Sequence, residues 1–580
     1  MYSAIPSAFL LVQLLKRFGI HQVVISPGSR NAPLIATIAA DASFKTFSIV
    51  DERSAAFFAL GRAQASQVPV ALLCTSGSAL LNYYPAIAEA FYSQIPLLVL
   101  SADRPSYKID IGDGQTIRQQ NIFASLLGPS FNLLQDVSHN TSEIKRFAPE
   151  LLEHDQETVQ RLNTEIIATA INHLFGQRIP VHVNIPFEEP LYESVLSHSF
   201  VVSELPPLSQ TQANPPLSLN SLEPLREVFQ GTLKKVLLLI GVWNPTTDEL
   251  KALETVIGHL GALVFTESTS NVPEILAIDA IDALLAPLER HTKSEELFEK
   301  LQPDIVFTLG GLVVSKKIKA LLRKKEGLVH IHLGQQRALD TFGALKYNFG
   351  LDALAQYSET LTGQSDFSYR DYWYKYYQSL TPKREAFAHR APYSDFKVFE
   401  QLASAIPESY VVHFANSSAI RYAQFFKSKA KKQWCNRGTS GIEGSTSTAV
   451  GYASYNGEHT LLVTGDLSLF YDSNALWNAY IPRTFRVIVV NNFGGGIFRI
   501  LPKAKQTKGF EEFLETRHQR KAELMAHEFG LEYAAAHTRL ELASALKDFF
   551  EPNDRPKLLE IFTPSSQNEK VLFDYFDALL

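Results

Sequence analysis

Two polar residues in the last third of the chain follow apolar segments closely enough to share one site. Asp466 comes after the strand-like run Thr460–Thr464 and Gly465, and Asn492 follows a second such run 26 positions later. Ligands of open α/β sheets bind at the carboxyl ends of the strands. Mg²⁺ prefers oxygen ligands, of which one or two come from carboxylates and the rest from phosphate and water. The pair therefore predicts a divalent-metal site that holds a diphosphate.

The residues around this pair fit the same chemistry. Gly494, Gly495 and Gly496 allow the backbone to approach closely, so that a carbonyl there can be a third ligand. Ser468 and a helix predicted to begin near Tyr471 supply donors to phosphate oxygens. The alternative is that both segments are ordinary turns, which favour the same residue types. Their joint occurrence after two apolar strands favours the metal site.

Glu52 is the candidate for proton transfer. It lies between the apolar strand Phe47–Val50 and the helical pattern Ala55–Leu60. A carboxyl in an apolar pocket has a raised pKa and can exchange a proton near neutral pH. Such an acid beside a heterocycle, together with a metal and a diphosphate, suggests thiamine diphosphate. The alternative is an acidic residue at a helix start, where the macrodipole favours it.

Several short turns combine arginine with hydroxyl or amide side chains, a pattern that suits carboxylate binding. Alone, each could equally form a surface salt bridge or a helix cap. Their recurrence after predicted strands favours substrates that carry several carboxylates. The turns are Ser26–Asn31, Asp103–Pro105, Asn416-Ser417 with Arg421 on the same helix face, and Asn436–Gly438.

Three blocks of alternating strands and helices must position these residues. Strands that are apolar on both faces and separated by helices predict doubly wound parallel sheets of the α/β class. We predict domains at residues 1–195, 196–375 and 376–580, the second following a linker around Glu204–Pro216. The strand candidates are Gln22–Ser26, Thr46–Val50, Val70–Thr75, Pro96–Ala102, Val181–Ile185, Lys235–Ile240, Ala262–Phe265, Ile305–Leu309, Leu328–His332, Tyr410–Phe414, Gln433–Asn436, Thr460–Thr464, Arg486–Val490 and Lys557–Ile561.

The central block carries less chemistry than the other two. Gly310-Gly311 follows one of its strands, but no G-x-G-x-x-G opens a helix, which argues against a dinucleotide site. The aromatic run Tyr369–Tyr377 predicts an amphipathic helix that closes this domain or packs between domains.

Composition excludes several classes of protein. The chain has 580 residues, of which 46% are hydrophobic and 20% charged, with a formal net charge of −6. It lacks the basic footprint of a nucleic-acid-binding or anionic-membrane-binding protein. Its two cysteines, Cys74 and Cys435, cannot form a disulfide framework or a zinc cluster, which fits a reducing cytoplasm. The apolar stretch Ala4–Leu15 has helical spacing rather than signal-peptide features, and membrane insertion is not expected.

These motifs resemble the thiamine-diphosphate-dependent enzymes. Within that superfamily they are most similar to the 2-succinyl-5-enolpyruvyl-6-hydroxy-3-cyclohexene-1-carboxylate (SEPHCHC) synthase family of menaquinone biosynthesis. The resemblance extends from residue 25 to residue 501 in family order and is weakest in the central domain, where Ser315-Lys316 stands out. The segments that carry it are Ile25–Arg30, Asp51–Arg53, Thr75–Gly77, Ala102–Pro105, Gln115–Arg118, Asn436–Ile442, Gly465–Ser468 and Asn491-Asn492.

The resemblance implies roles for individual residues. Glu52 would activate the cofactor, and Ile442 would hold it in a bent form. Gln115 would be a third catalytic residue. Mg²⁺, or Mn²⁺ in its place, would be bound by Asp466, Asn492 and the backbone of Gly494. Further cofactor contacts would come from Thr75, Gly77, Gly465, Leu467 and Ser468. The substrate contacts would be Ser29, Arg30, Arg104, Gln115, Lys316, Asn416, Ser417, Arg421, Arg437, Phe498 and Leu501.

The implied activity is a carboligation. The enzyme would decarboxylate 2-oxoglutarate and add the succinyl carbanion to isochorismate in a 1,4-addition, as a cytoplasmic homodimer or homotetramer with shared active sites. One alternative is a carboligase or decarboxylase similar to acetolactate synthase, which favours a bound flavin and a small neutral acceptor. Another is a non-catalytic regulator that retains a diphosphate site. The arginines argue against the first, and the intact glutamate and metal pair against the second.

Overall fold

The computed structural model describes residues 1–198, 222–273, 277–334 and 337–580. The predicted linker Glu204–Pro216 lies outside the described residues. The chain packs into two compact units. The first unit contains the described residues up to 198, Glu443–Glu458 and Asp472–Pro482. The second unit contains the described residues from 222 to Ile442, His459–Tyr471 and Arg483–Leu580. The domain boundaries near residues 195 and 375 remain predictions.

The strands follow the apolar runs of the sequence. In chain order they are β1 (Tyr2–Ser3), β2 (Gln22–Ile25), β3 (Lys45–Ser48), β4 (Val70–Cys74), β5 (Leu97–Asp103), β6 (Phe131–Asn132), β7 (Val181–Pro186), β8 (Ser194–Val195), β9 (Val236–Ile240), β10 (Leu263–Phe265), β11 (Ile305–Leu309), β12 (Val329–Leu333), β13 (Leu345–Phe349), β14 (Val411–Phe414), β15 (Lys432–Trp434), β16 (Thr460–Gly465), β17 (Phe485–Asn491), β18 (Glu532–Ala536) and β19 (Lys557–Phe562).

The α-helices connect these strands. In chain order they are α1 (Pro6–Arg17), α2 (Ala32–Ala39), α3 (Glu52–Ser66), α4 (Ser78–Asn82), α5 (Tyr84–Tyr92), α6 (Ala124–Leu127), α7 (Thr141–Phe147), α8 (Gln156–Gln177), α9 (Glu223–Phe229), α10 (Thr247–Leu260), α11 (Ile281–Arg290), α12 (Ser294–Leu301), α13 (Lys316–Arg323), α14 (Leu351–Ser358), α15 (Phe367–Arg390), α16 (Asp395–Ala405), α17 (Ser418–Ala423), α18 (Ser445–Ala453), α19 (Asp466–Tyr471), α20 (Glu523–Glu528), α21 (Arg539–Phe549) and α22 (Ser565–Ala578).

One six-stranded parallel sheet forms the centre of the first unit. Its strand order is β3-β2-β4-β5-β7-β6. All residues of β4 and β5 are buried, as expected for strands covered by helices on both faces. Helices α1 and α8 pack against each other and contribute Leu11, Leu15 and Ile171 to the core on one face. Helix α3 packs against β4, α5 and α18.

Two further parallel sheets form the second unit. The five-stranded sheet has the order β10-β9-β11-β12-β13, and the six-stranded sheet has the order β15-β14-β16-β17-β19-β18. Alternate residues of β9 enter different cores, with Leu237 and Leu239 on one side and Leu238 and Ile240 on the other. This two-sided burial confirms the predicted doubly wound α/β class.

The two six-stranded sheets have the same topology. When the strands of each sheet are numbered along the chain, both have the order 2-1-3-4-6-5. The order reverses at the first strand, so the carboxyl ends of strands 1 and 3 flank the position where such sheets bind ligands. These strands are β2 and β4 in one sheet, and β14 and β16 in the other. Some of the predicted site residues follow these strands: Arg30, Thr75, Asn416 and Asp466.

The predicted strands are all present, with ends shifted by at most a few residues. The sequence analysis missed β1, β6 and β8, which are only two residues long, and the edge strands β13 and β18. The predicted amphipathic helix around Tyr369–Tyr377 is confirmed by α15, which buries Trp373 and Tyr377. Among the helices in the described ranges, none has the length and apolar character needed to cross a membrane.

The prediction of a helix beginning near Tyr471 is wrong. Helix α19 begins at Asp466 and ends at Tyr471, and a short 3-10 helix follows at Ser473–Leu476. An acidic residue in the first turn of a helix is favoured by the macrodipole, so the helix starts directly after β16. Ser468 therefore lies inside the first turns of this helix rather than in front of it.

Candidate active site

Glu52 is the first residue of α3. The preceding Asp51 caps this helix by accepting the Ser54 N–H at 3.1 Å, and Asn474 Nδ2 donates to the other Asp51 oxygen at 2.7 Å. Glu52 is half-buried, and loss of solvent raises the pKa of its carboxyl. Burial raises the pKa of the Cys74 thiol, and the nearby charge of Glu52 raises it further. The structure thus places Glu52 on a fixed helix start in a weakly solvated environment.

Close contact with α18 fixes the position of α3. A Cβ on Gly61 would lie 1.9 Å from the Thr448 carbonyl oxygen, and one on Gly451 would lie 2.1 Å from the Phe58 carbonyl oxygen. Arg62, which is fully buried, stacks on Phe47 with its guanidinium carbon 4.0 Å from the ring centroid. Glycine is therefore required where the two backbones meet.

Two arginines of the first unit lie together at the carboxyl ends of β2 and β5. The Arg30 guanidinium donates to the Phe187 carbonyl at 3.0 Å and forms an ion pair with Glu189 at 2.9 Å. Burial lowers the pKa of Arg104, and the nearby charge of Arg30 lowers it further. Two neighbouring guanidiniums are stabilised by an anion, and the Arg30 Nε is buried with no hydrogen bond in the described chain.

Other predicted residues of the first unit surround this pair. The Thr75 hydroxyl accepts the Arg30 N–H at 3.3 Å, and the Gln115 carbonyl accepts from Arg104 at 2.9 Å. Gly77 has a φ of +85°, and a Cβ there would lie 2.9 Å from the Gln115 carbonyl oxygen. Ser29 lines a cleft of about 480 Å³ together with Glu189 and Tyr192. The structure therefore brings Ser29, Arg30, Thr75, Gly77, Arg104 and Gln115 into one region, although the Gln115 side chain is exposed.

The three predicted metal ligands lie together in the second unit. Asp466 is 2% exposed, and its two carboxylate oxygens accept the N–H groups of Leu467 at 2.7 Å and Gly494 at 2.9 Å. Gly494 has a φ of +153°, and a Cβ there would lie 2.7 Å from the Glu515 carbonyl oxygen. Asn492 follows β17 beside them and is 6% exposed.

The orientation of the Asn492 amide fits a metal ion. Its Nδ2 donates to Asp395 Oδ2 at 3.0 Å, while its Oδ1 is buried and makes no hydrogen bond in the described part of the chain. A buried acceptor without a donor is costly, and a cation would satisfy it. With the Asp466 carboxylate nearby, the donor set is made of oxygen, as Mg²⁺ prefers. His518, which sequence analysis missed, lies 3.2 Å from Asp466 Oδ2.

The remaining predicted cofactor residues adjoin this site. The Ser468 hydroxyl donates to the Ile442 carbonyl at 2.9 Å, which connects α19 to the loop that carries Ile442. Ile442 is half-buried. Gly465 ends β16, and no atom lies within 4 Å of a Cβ built on it. The predicted segments Gly465–Ser468 and Asn436–Ile442 are thus neighbours in the second unit.

A second arginine cluster lies at the carboxyl end of β14. Asn416 Oδ1 accepts from Arg437 Nη1 at 2.7 Å, and Asn416 Nδ2 donates to the Asn436 and Gly441 carbonyls, each at 2.7 Å. Ser417 precedes α17 with a φ of +71°, which is strained for a residue other than glycine. Burial lowers the pKa of Arg421, and the charge of Arg437 acts in the same direction.

The remaining predicted substrate residues, Lys316, Phe498 and Leu501, differ in their exposure to solvent. Lys316, the first residue of α13, is exposed, whereas the half-buried Lys319 on the same helix has a pKa lowered by burial and by Arg437. Phe498 is half-buried on a 3-10 helix, and Leu501 is 39% exposed just after it. Lys319 was not predicted, since its partners lie far away in the sequence.

Two acidic residues of this region were also missed. Glu267 is 5% exposed and accepts backbone N–H groups from the segment before α13. Asp282 lies on α11 and accepts from the Ser315 hydroxyl at 2.5 Å. Glu267 comes two residues after β10, so the strand-end criterion that found Asp466 could have identified it.

Two family models match the chain. The model described as "Thiamine pyrophosphate enzyme, N-terminal TPP binding domain" matches residues 7–124. The model described as "Thiamine pyrophosphate enzyme, C-terminal TPP binding domain" matches residues 416–561. The first range includes Glu52 and the second includes Asp466 and Asn492.

Relatives match over the full length. Proteins named 2-succinyl-5-enolpyruvyl-6-hydroxy-3-cyclohexene-1-carboxylate synthase are similar to this chain in three organisms. The protein from Christiangramia forsetii is 44% identical, covering 100% of this chain and 99% of the relative. The one from Flavobacterium johnsoniae is 40% identical with complete coverage of both chains, and the one from Porphyromonas gingivalis is 36% identical, covering 99% and 97%. The chain therefore belongs to the SEPHCHC synthase family of thiamine diphosphate enzymes.

Proposed function

We propose that the protein is a thiamine-diphosphate-dependent SEPHCHC synthase of menaquinone biosynthesis, which uses 2-oxoglutarate and isochorismate. When bound, the cofactor supplies the nucleophilic carbon and the electron sink needed to release carbon dioxide and transfer the succinyl unit. The observation that carries the proposal is the buried Asp466 beside Asn492, whose free amide oxygen suits the metal of a diphosphate cofactor.

The cofactor is held through its metal and its phosphates. Asp466, Asn492 and the Gly494 backbone would bind the metal, and Ser468 and Leu467 at the start of α19 would bind the diphosphate. A short helix start alone binds an anion weakly, so the metal provides most of the attraction. Thr75, Gly77, Gly465 and Ile442 complete the cofactor contacts.

Glu52 holds the proton that the heterocycle needs. Its raised pKa, caused by burial, keeps the protonated form available closer to neutral pH than in water. Asp51 and Asn474 fix the helix start, so the carboxyl of Glu52 has a defined position. Gln115 is the third proposed catalytic residue, together with Glu52 and Ile442.

The two arginine clusters bind the carboxylates of the substrates. Ser29, Arg30, Arg104, Gln115 and Lys316 bind isochorismate, and Asn416, Ser417, Arg421 and Arg437 bind carboxylates of both substrates. Guanidinium groups suit this task because they donate two parallel hydrogen bonds to a carboxylate. Phe498 and Leu501 form apolar walls that limit access of water to the reacting carbons.

The protein further acts as a homodimer or homotetramer with shared active sites, in the cytoplasm. Cys74 and Cys435 are buried thiols that are not joined in a disulfide, which supports a reducing compartment. Light scattering of the purified protein measures the assembly directly, and a monomer that is fully active would contradict it.

The activity is tested by product mass. The protein is incubated with thiamine diphosphate, Mg²⁺, 2-oxoglutarate and isochorismate, and the product is identified by mass spectrometry. Omission of each component in turn should abolish the SEPHCHC mass. An absorption spectrum without a flavin band separates this activity from that of an acetolactate-synthase-like enzyme. Product formation without isochorismate, or with pyruvate alone, would contradict the proposal.

A further inference from the structure

Glu267 lies two residues after the carboxyl end of β10. Its carboxylate is almost completely buried, at 5% exposure for the residue. Both of its oxygens accept the Val314 N–H, at 2.8 and 2.7 Å, and one of them also accepts the Ser315 N–H at 2.8 Å. These two N–H groups belong to the segment that leads directly into α13.

Ser315 is held from a second direction. Its hydroxyl donates to Asp282 Oδ1 at 2.5 Å and accepts the Ile318 N–H at 3.2 Å, so that it caps α13. Asp282 lies on α11 and Glu267 follows β10, which are separate elements of the second unit. Two carboxylates therefore fix the backbone and the side chain of the residue that precedes Lys316.

The second arginine cluster lies near these carboxylates. The charge of Arg437 acts on Glu267, and the charges of Lys317 and Arg421 act on Asp282. Lys319 lies close to both arginines and to Glu267. The start of α13, which Glu267 and Asp282 hold, therefore lies among cationic side chains that suit a bound carboxylate.

We propose that Glu267 is a positioning residue for isochorismate: it fixes the Val314–Lys316 segment and thereby the start of α13. This inference rests on the proposed function. Glu267 acts through Lys316, which the proposed function assigns to isochorismate alone.

The test separates substrate binding from the first chemical stage. In Glu267→Gln, the isochorismate KM should rise by at least about tenfold. The rate at which carbon dioxide is released from radiolabelled 2-oxoglutarate without isochorismate should stay within about twofold of wild type. Glu254→Gln, the same change at an exposed position of α10, should alter neither quantity.

A second variant covers the case in which Glu267→Gln does not fold. Ser315→Ala removes the contact with Asp282 but leaves Glu267 in place, and it should raise the isochorismate KM in the same direction. An unchanged KM in either folded variant would overturn the inference, as would an equal loss of carbon dioxide release. Failure of the wild-type protein to form the product would instead reject the proposed function.

Discussion

Glu52, Asp466 and Asn492 are single residues whose protonation or coordination sets the chemistry of the site. Glu52 is half-buried at the start of α3, where burial outweighs its backbone hydrogen bond and raises its pKa. Asp466 and Asn492 are buried at the ends of adjacent strands. Substitutions that keep the shape of these side chains but change their charge or donors test the roles directly.

Replacement of Glu52 by glutamine removes the ionisable carboxyl group while preserving the size of the side chain. We expect product formation by Glu52→Gln to fall by about 100-fold or more, in the range typical of a lost general acid or base. Circular dichroism should show an unchanged fold. Glu193→Gln, at an exposed position of the first unit, is the matched control and should retain wild-type turnover. Full activity of Glu52→Gln would remove this residue from catalysis.

The Asp466→Asn variant tests the metal site without relying on turnover. The loss of its negative charge should weaken Mg²⁺ binding by at least about tenfold, because Mg²⁺ depends on carboxylate ligands. Titration of Mg²⁺ at saturating thiamine diphosphate, followed by calorimetry, measures this. Equal Mg²⁺ affinity in the variant and in the wild type would show that Asp466 does not bind the metal.

The sequence pattern indicates some of the candidate site residues and not others, for a physical reason. Asp466 directly follows the apolar strand β16, and Arg30 lies in the turn after β2, so the local pattern identifies them. Asp395 was missed because its hydrogen-bond partner Asn492 lies 97 residues away in the sequence. No local pattern records which distant backbone or amide group a buried carboxylate will meet.

The contact between α3 and α18 sets the position of the helix that begins with Glu52. Gly61 and Gly451 allow the two backbones to touch, and a methyl group at either position would overlap a carbonyl oxygen. The backbones must separate to accommodate it, which also disturbs the buried Arg62 and its hydrogen bond to Ser454 at 2.7 Å.

We expect Gly61→Ala to destabilise the protein by about 1–3 kcal/mol or more, the usual cost of overpacking. Urea unfolding midpoints measure the effect. Gly258→Ala in α10 is the control, because no atom lies within 4 Å of the added Cβ. That change should leave stability equal or raise it by up to about 1 kcal/mol, since alanine has the higher helix propensity. A stable Gly61→Ala would show that the contact is loose.

The sequence predicts strands better than the helices that follow them. The buried strand β4 is a short, continuous apolar run that ends at the polar residues Thr75 and Ser76, so the sequence marks its boundary. Strand β18 is mostly exposed and rich in alanine, and therefore carries no such pattern. The helix predicted near Tyr471 was placed too late, because the sequence shows no boundary between Gly465 and the six-residue α19.

Buried carboxyl groups make the unfolding free energy of the protein depend on pH. Burial raises the pKa of Asp472 to about 7 and that of Glu267 to about 7. Between the unfolded pKa near 4 and the folded pKa, the folded protein binds more protons than the unfolded chain. The contribution of these two groups to stability is therefore greatest below this window and is lost as the pH rises through it.

The Asp472→Asn variant removes one of these groups. Its unfolding free energy should fall less steeply between pH 4.5 and 7 than that of wild type, by up to about 1.4 kcal/mol per pH unit for one proton. Urea unfolding at several pH values gives both slopes. Parallel curves for the two proteins would show that Asp472 does not bind a proton in this range.

The interleaved composition of the first unit has a consequence for its synthesis. This unit needs Glu443–Glu458 and Asp472–Pro482, which supply the partners of α3 and Asp51. At a translation rate of roughly 5–20 residues per second, they leave the ribosome about 10–60 s after the N-terminal third. During that interval the face of α3 that packs against α18 has no native cover on the nascent chain. A fragment that ends at residue 198 should accordingly bind chaperones and aggregate rather than fold.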